Sequence, residues 1–115
     1  GSKVADPTTL PGDWCFSVEF NPAGSAIVVG SAASPWLQGY PWTGTGFGTK
    51  YSNPSTAMTN TVYDVAFDPN GEDIAATENG GTTHVYKFDA STGFGTKYSD
   101  PSIGTPTGNT VDFAP

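Results

Sequence analysis

Very few residues in this chain have the chemistry for catalysis or metal binding, and they lie far apart in the sequence. Cys15 is the only cysteine and His84 the only histidine. A thiol nucleophile needs a base placed beside it, and nothing in the sequence places one, so Cys15 reads as a small buried apolar residue. A lone cysteine also leaves no intrachain disulfide and no cysteine-only metal cage. Asp68, Asn70, Glu72 and Asp73 crowd one turn as calcium ligands would, but the spacing and length of a calcium hand are missing, and turn formation with solubilising charge explains them better. No phosphate-binding glycine loop, paired-histidine metal motif or serine elbow occurs, so no cofactor and no metal is expected. Large aromatic residues remain. Trp14, Trp36 and Tyr40 are the candidate ligand-binding residues, because a flat ring with one polar atom suits a sugar or a protein partner.

Charge narrows the partners. Eleven acidic residues against four Lys and Arg give a net charge of −7 and a pI near 4.1. Such a field repels phosphate backbones and anionic headgroups, which argues against nucleic acid and membranes as partners. No apolar run approaches membrane-spanning length, and no basic start followed by an apolar stretch marks a signal peptide, so the expectation is a soluble chain, with a virion or extracellular setting among the options. Fifteen Gly, ten Pro and 13 % aromatic residues suit short strands and tight turns and disfavour helices.

A repeat organises these residues. Gly46-Phe47-Gly48-Thr49-Lys50-Tyr51-Ser52 recurs 47 residues later as Gly93-Phe94-Gly95-Thr96-Lys97-Tyr98-Ser99. Lys3-Val4-Ala5-Asp6-Pro7 extends the register to the start of the chain, matching Lys50 to Pro54 and Lys97 to Pro101. Ser17-Val18-Glu19-Phe20-Asn21-Pro22 matches Asp64-Val65-Ala66-Phe67-Asp68-Pro69, and a third copy follows at Thr110-Val111-Asp112-Phe113-Ala114-Pro115. The repeats run over 3–49, 50–96 and, in part, 97–115, within one array covering 1–115.

Each period holds four short strands. Residues 16–20 and 63–67 alternate large apolar with small or polar side chains, as a strand with one committed face does. Asn21-Pro22-Ala23-Gly24 and Asp68-Pro69-Asn70-Gly71 then reverse the chain, since Pro presets φ and Gly accepts a positive one. Residues 26–29 and 73–76 are small and apolar, like a buried middle strand. Residues 38–42 and 84–88 form a third strand, weakened in the first repeat by Pro41, which donates no ladder bond. Residues 47–51 and 94–98 form a fourth.

Ser17 to Gly24 and Asp64 to Gly71 resemble the opening of a β-propeller blade, and Ile74 to Thr77 followed by Val85 to Asp89 is similar to the middle of a WD-repeat blade. The resemblance covers nearly the whole chain. It implies an all-β protein of four-stranded antiparallel blades, a partial propeller that closes by oligomerisation. The Trp-Asp dipeptide and Gly-His pair of WD repeats are missing here, so their side-chain network should be too. The linker at 46–54 resembles repeats of uncharacterised phage and bacterial proteins.

Two blades leave an apolar flank open at each end, and such flanks are buried only by a neighbour. The expected partner is therefore a second copy of the chain or further blades. The function expected is non-catalytic assembly or protein binding, for example in a phage or bacterial structure. The alternative is a lectin-like, carbohydrate-binding propeller. Trp14 aligns with Thr61 and Trp36 with Thr82 or Thr83, so neither tryptophan recurs, and non-recurring residues are where function separates from packing. An enzyme would need acids from several blades to meet on the axis; Asp64 qualifies by position, but its counterpart is Ser17.

Overall fold

A computed structural model describes residues 1–101 and 110–115. Seven strands form two antiparallel sheets and no helix occurs among these residues. The first sheet is β1 (Cys15–Phe20), β2 (Ala26–Ser31) and β3 (Leu37–Pro41), in that order. The second is β4 (Val62–Phe67), β5 (Asp73–Glu78), β6 (Thr83–Asp89) and β7 (Gly93–Lys97), also in sequence order. These are meanders in which every strand pairs with its chain neighbour, as short connections favour.

The turns form as the residue types demand. Gly24 N–H donates to the Asn21 carbonyl at 2.9 Å with φ +68°, and Gly71 N–H donates to the Asp68 carbonyl at 3.0 Å with φ +75°. Asn21 Oδ1 accepts the N–H groups of Ser25 and Ala26; Asp68 Oδ1 accepts those of Glu72 and Asp73. The Asp68 carboxylate is thus spent on its own turn. Desolvation pushes its pKa up, but the surrounding backbone N–H groups outweigh that and hold it below the ordinary value.

Two expected strands are not regular. At residues 47–51 the chain makes an isolated bridge between Trp42 and Phe47 and follows β3 through Gly48 N–H to the Pro41 carbonyl and Tyr51 N–H to the Gly39 carbonyl, without a continuous ladder. Pro41 has no N–H to return. The first blade therefore has three regular strands and a loosely attached fourth. Residues 110–115, the start of the third repeat, are not a strand either, and Val111 N–H bonds the Asp64 side chain of β4; residues 102–109 lie outside the described part.

The main core lies between the sheets. Ala26, Val28 and Leu37 of the first meet Val62, Val65, Phe67, Ile74, Ala76, Tyr86 and Phe88 of the second, with Tyr51 and Met58 from the connection filling the seam. Burying each large side chain there is worth about 1.5–3 kcal/mol. β1 packs closely on β4, whereas the outer strands β3 and β7 barely meet, so the two sheets splay apart from a shared inner edge. At that edge a Cβ on Gly30 would stand 2.6 Å from Val62 Cγ1, so only glycine permits the approach.

Candidate interaction surface

Alternation puts opposite residues of β2 on opposite sides of the first sheet. Ala26 and Val28 face the second sheet; Ile27 and Val29 face away, in a second cluster with Tyr40 and Phe47. Val18 and Phe20 pair across to Val29 and Ile27 and so share this outer side. They are 59 % and 48 % exposed, whereas Val65 and Phe67, at the same repeat positions, are 3 % and 8 % exposed. One motif therefore gives a buried strip in β4 and an open one in β1. Phe20, Trp42, Phe47 and Tyr40 continue it as a chain of edge-to-face rings with centroids 5.2–5.7 Å apart. Leu10 and Trp14, 62 % and 76 % exposed, lie on the segment leading into β1.

The three candidate binding residues occupy different settings. Trp14 is open, and its carbonyl accepts Ala32 N–H at the end of β2. Trp36 is half-buried against the main core, with φ +61°, and its backbone closes the β2–β3 turn through Ala33 and Ser31. Tyr40 is 1 % exposed and its hydroxyl donates to the Thr9 carbonyl at 2.7 Å. Burial and then the neighbouring Cys15 push its pKa up. Trp14 and Trp36 thus flank the same end of the first sheet, while Tyr40 is held inside it. Tyr86 repeats the Tyr40 arrangement: its hydroxyl donates to the Thr56 carbonyl at 2.8 Å, and its pKa is pushed up to about 12 by burial, then by Glu78 and Asp100.

Cys15 is exposed, contrary to the expectation of a buried residue, because among the described residues no sheet covers the outer side of the first sheet as the first sheet covers the second. Burial and Asp13 raise its pKa, away from the thiolate a nucleophile needs. Asp64 does lie at the inner edge, and it is engaged there. Ser17 Oγ donates to it at 2.9 Å, and Val111 N–H donates to its other oxygen at 2.9 Å. Glu19, on the neighbouring strand, has its pKa raised by burial and then by Asp112 and Asp64. No pocket forms among the described residues to hold a substrate against these acids.

The sequence alone did not reveal a polar cluster in the second sheet. His84 Nε2 lies 3.1 Å from Glu78 Oε1 and His84 Nδ1 2.7 Å from Asp100 Oδ1, while Glu78 also accepts the N–H groups of Thr59 and Asn60. Desolvation works against the Glu78 anion, but these partners prevail and its pKa is lowered. Lys97 completes the group by pairing with Asp100. The clue was the repeat: Glu78 and His84 replace Ser31 and Gln38, which contact each other at 3.3 Å in the first sheet.

Two meandering sheets splayed from a common inner edge, with residues 110–113 continuing the series at Asp64, are consecutive blades. The fold is that of a β-propeller. Similar solved structures include U3-55K (12 % identity, TM-score 0.54) and Sqt1 from Chaetomium thermophilum (21 % identity, TM-score 0.54), both WD40-type propeller proteins. They match 74 % and 72 % of this chain, which spans 26 % and 20 % of theirs. No protein-family model and no curated protein matches the sequence.

Proposed function

We propose that this chain is a non-catalytic propeller module that works by binding protein, and that the open side of the first blade is its binding surface. One observation carries the reading: Val18 and Phe20 are exposed where Val65 and Phe67, the same repeat positions, are buried by a neighbouring blade. An apolar strip of that kind beside an unpaired edge strand favours a protein partner, either another copy or further blades. A scaffolding role in a phage or bacterial particle is its most specific form. Sedimentation of the wild-type chain and of Val18→Asp tests it. Assembly that Val18→Asp abolishes supports the reading; a wild-type chain that stays monomeric and folded at every soluble concentration removes it.

Trp14 favours a second reading, carbohydrate binding, since an indole 76 % exposed offers a face for a sugar ring. Quenching or shift of tryptophan fluorescence by one sugar of a panel, lost in Trp14→Ala, would establish it. An unchanged spectrum with every sugar would exclude it.

A further inference from the structure

The junction between the two blades is made of parts that the repeat supplies again at both open ends. Val65 N–H donates to Ser17 Oγ across the junction at 3.2 Å. One blade later, Val111 N–H makes the corresponding bond to Asp64. Val18 is the third member of this series, and among the described residues no side chain accepts its N–H. Tyr51, leaving the first blade, lies buried against the second: its ring and Cβ come within 3.0 Å of where a Cβ on Gly93 would stand, and its hydroxyl donates to the Ala90 carbonyl. Tyr98 is its counterpart leaving the second blade. It is 41 % exposed, with its hydroxyl on Asp73. Gly46, the counterpart of Gly93, is an empty seat, since a Cβ added there would meet nothing within 4 Å.

Sizes at the inner edge agree with this pairing. Gly30 admits Val62 at the internal junction. The repeat-equivalent pair is Thr77, larger than glycine and buried beside Thr83 until residues at that end move, and the exposed Cys15, smaller than valine, so bulk moves from one side to the other.

We propose that a second copy of this chain docks head to tail on the first, the trailing side of one second blade against the outer side of the next first blade. Tyr98 then sits on Gly46, and the Val18 N–H takes the Asp64 carboxylate. The proposal rests on the interaction reading above and specifies its partner. In the isolated chain, residues 110–115 hold that place, because Thr110-Val111-Asp112-Phe113 is the repeat equivalent of Ser17-Val18-Glu19-Phe20 and already bonds Asp64. Docking therefore requires their displacement by β1 of the neighbour. The two surfaces differ, so the contact is heterologous and propagates to a ring or a filament.

Complementation is the test. Val18→Asp damages only the leading surface and Tyr98→Ala only the trailing one; both side chains are exposed, so both variants should keep the monomer's circular dichroism and melting temperature. Each alone should fail to assemble beyond a dimer-free baseline in sedimentation, and an equimolar mixture should form a one-to-one dimer through its single intact junction. Val111→Pro, which removes the competing N–H, should tighten self-association about tenfold relative to the wild type. If the wild type assembles but Tyr98→Ala assembles equally well, or the mixture stays monomeric, the head-to-tail arrangement is overturned while the interaction reading survives. If the wild type never assembles, both fall.

Discussion

The two blades share a sequence plan and differ in what surrounds them. In the second, Val65 and Phe67 are sealed against the first blade; in the first, Val18 and Phe20 face solvent. The second blade also carries charge where the first is neutral: Asp68 replaces Asn21 in the turn, Glu78 and His84 replace Ser31 and Gln38, and Asp100 replaces Asn53 beside the lysine. Identical local instructions thus yield a core in one place and a surface in the other, and the difference is set by the neighbour rather than by the strand. Stability should accordingly follow the neighbour.

The largest contrast is expected at the phenylalanines. Phe67→Ala opens a cavity among Val65, Ile74 and Phe88 and should cost about 3–5 kcal/mol in urea unfolding. Phe20→Ala, at the same repeat position, loses mainly its edge contact with Trp42 and should cost under about 1 kcal/mol in a dilute monomer. Equal costs would mean that the flank is covered in solution.

A smaller contrast concerns two glycines. Gly93 combines φ +91° with Tyr51 close behind it, so Gly93→Ala should lower stability by about 2 kcal/mol, read as a fall in Tm. Gly46→Ala meets nothing and should stay within about 0.5 kcal/mol of wild type.

The finest contrast is with pH. Asp68, Glu78 and Asp100 all have pKa values held below ordinary: for each, desolvation is the largest influence and raises the value, but hydrogen bonds from the backbone, His84 or Lys97 outweigh it. A depressed carboxylate stabilises the fold fully above its unfolded value of about 4 and loses that contribution as pH falls through the folded one. Acid should therefore loosen the second blade first. The double substitution Glu78→Ser with His84→Gln, which installs the first blade's neutral pair, should flatten the acid limb of stability against pH. An unchanged limb would show that the cluster carries no linkage.

Much of this architecture was legible because repetition is visible without structure. The 47-residue spacing, the Asn-Pro and Asp-Pro turns and the alternation at 16–20 and 63–67 report local preferences that the fold keeps. What escaped was set by neighbours. Cys15 and Val18 have the composition of buried residues and are exposed because, among the described residues, no second sheet covers the outer side of the first. Pro41 predicts a weak third strand, yet β3 pairs with β2 without a break up to Pro41, and the weakness falls instead on the ladder to residues 47–51. Tyr40 recurs as Tyr86, the pattern of a packed residue, and it is 1 % exposed, but its hydroxyl partner, the Thr9 carbonyl 31 residues away, could not be read from the sequence. His84 could be read only against its alignment with Gln38.

Amide hydrogen exchange at Val18 and Val65 tests the central claim most directly. The two N–H groups occupy the same repeat position, and only Val65 finds an acceptor in the neighbouring blade. At low protein concentration Val65 should be protected and Val18 should exchange freely; as concentration rises, Val18 should acquire protection approaching that of Val65. If Val18 is equally protected at every dilution, or never gains protection while the chain assembles, then its strand edge is not where the next blade docks.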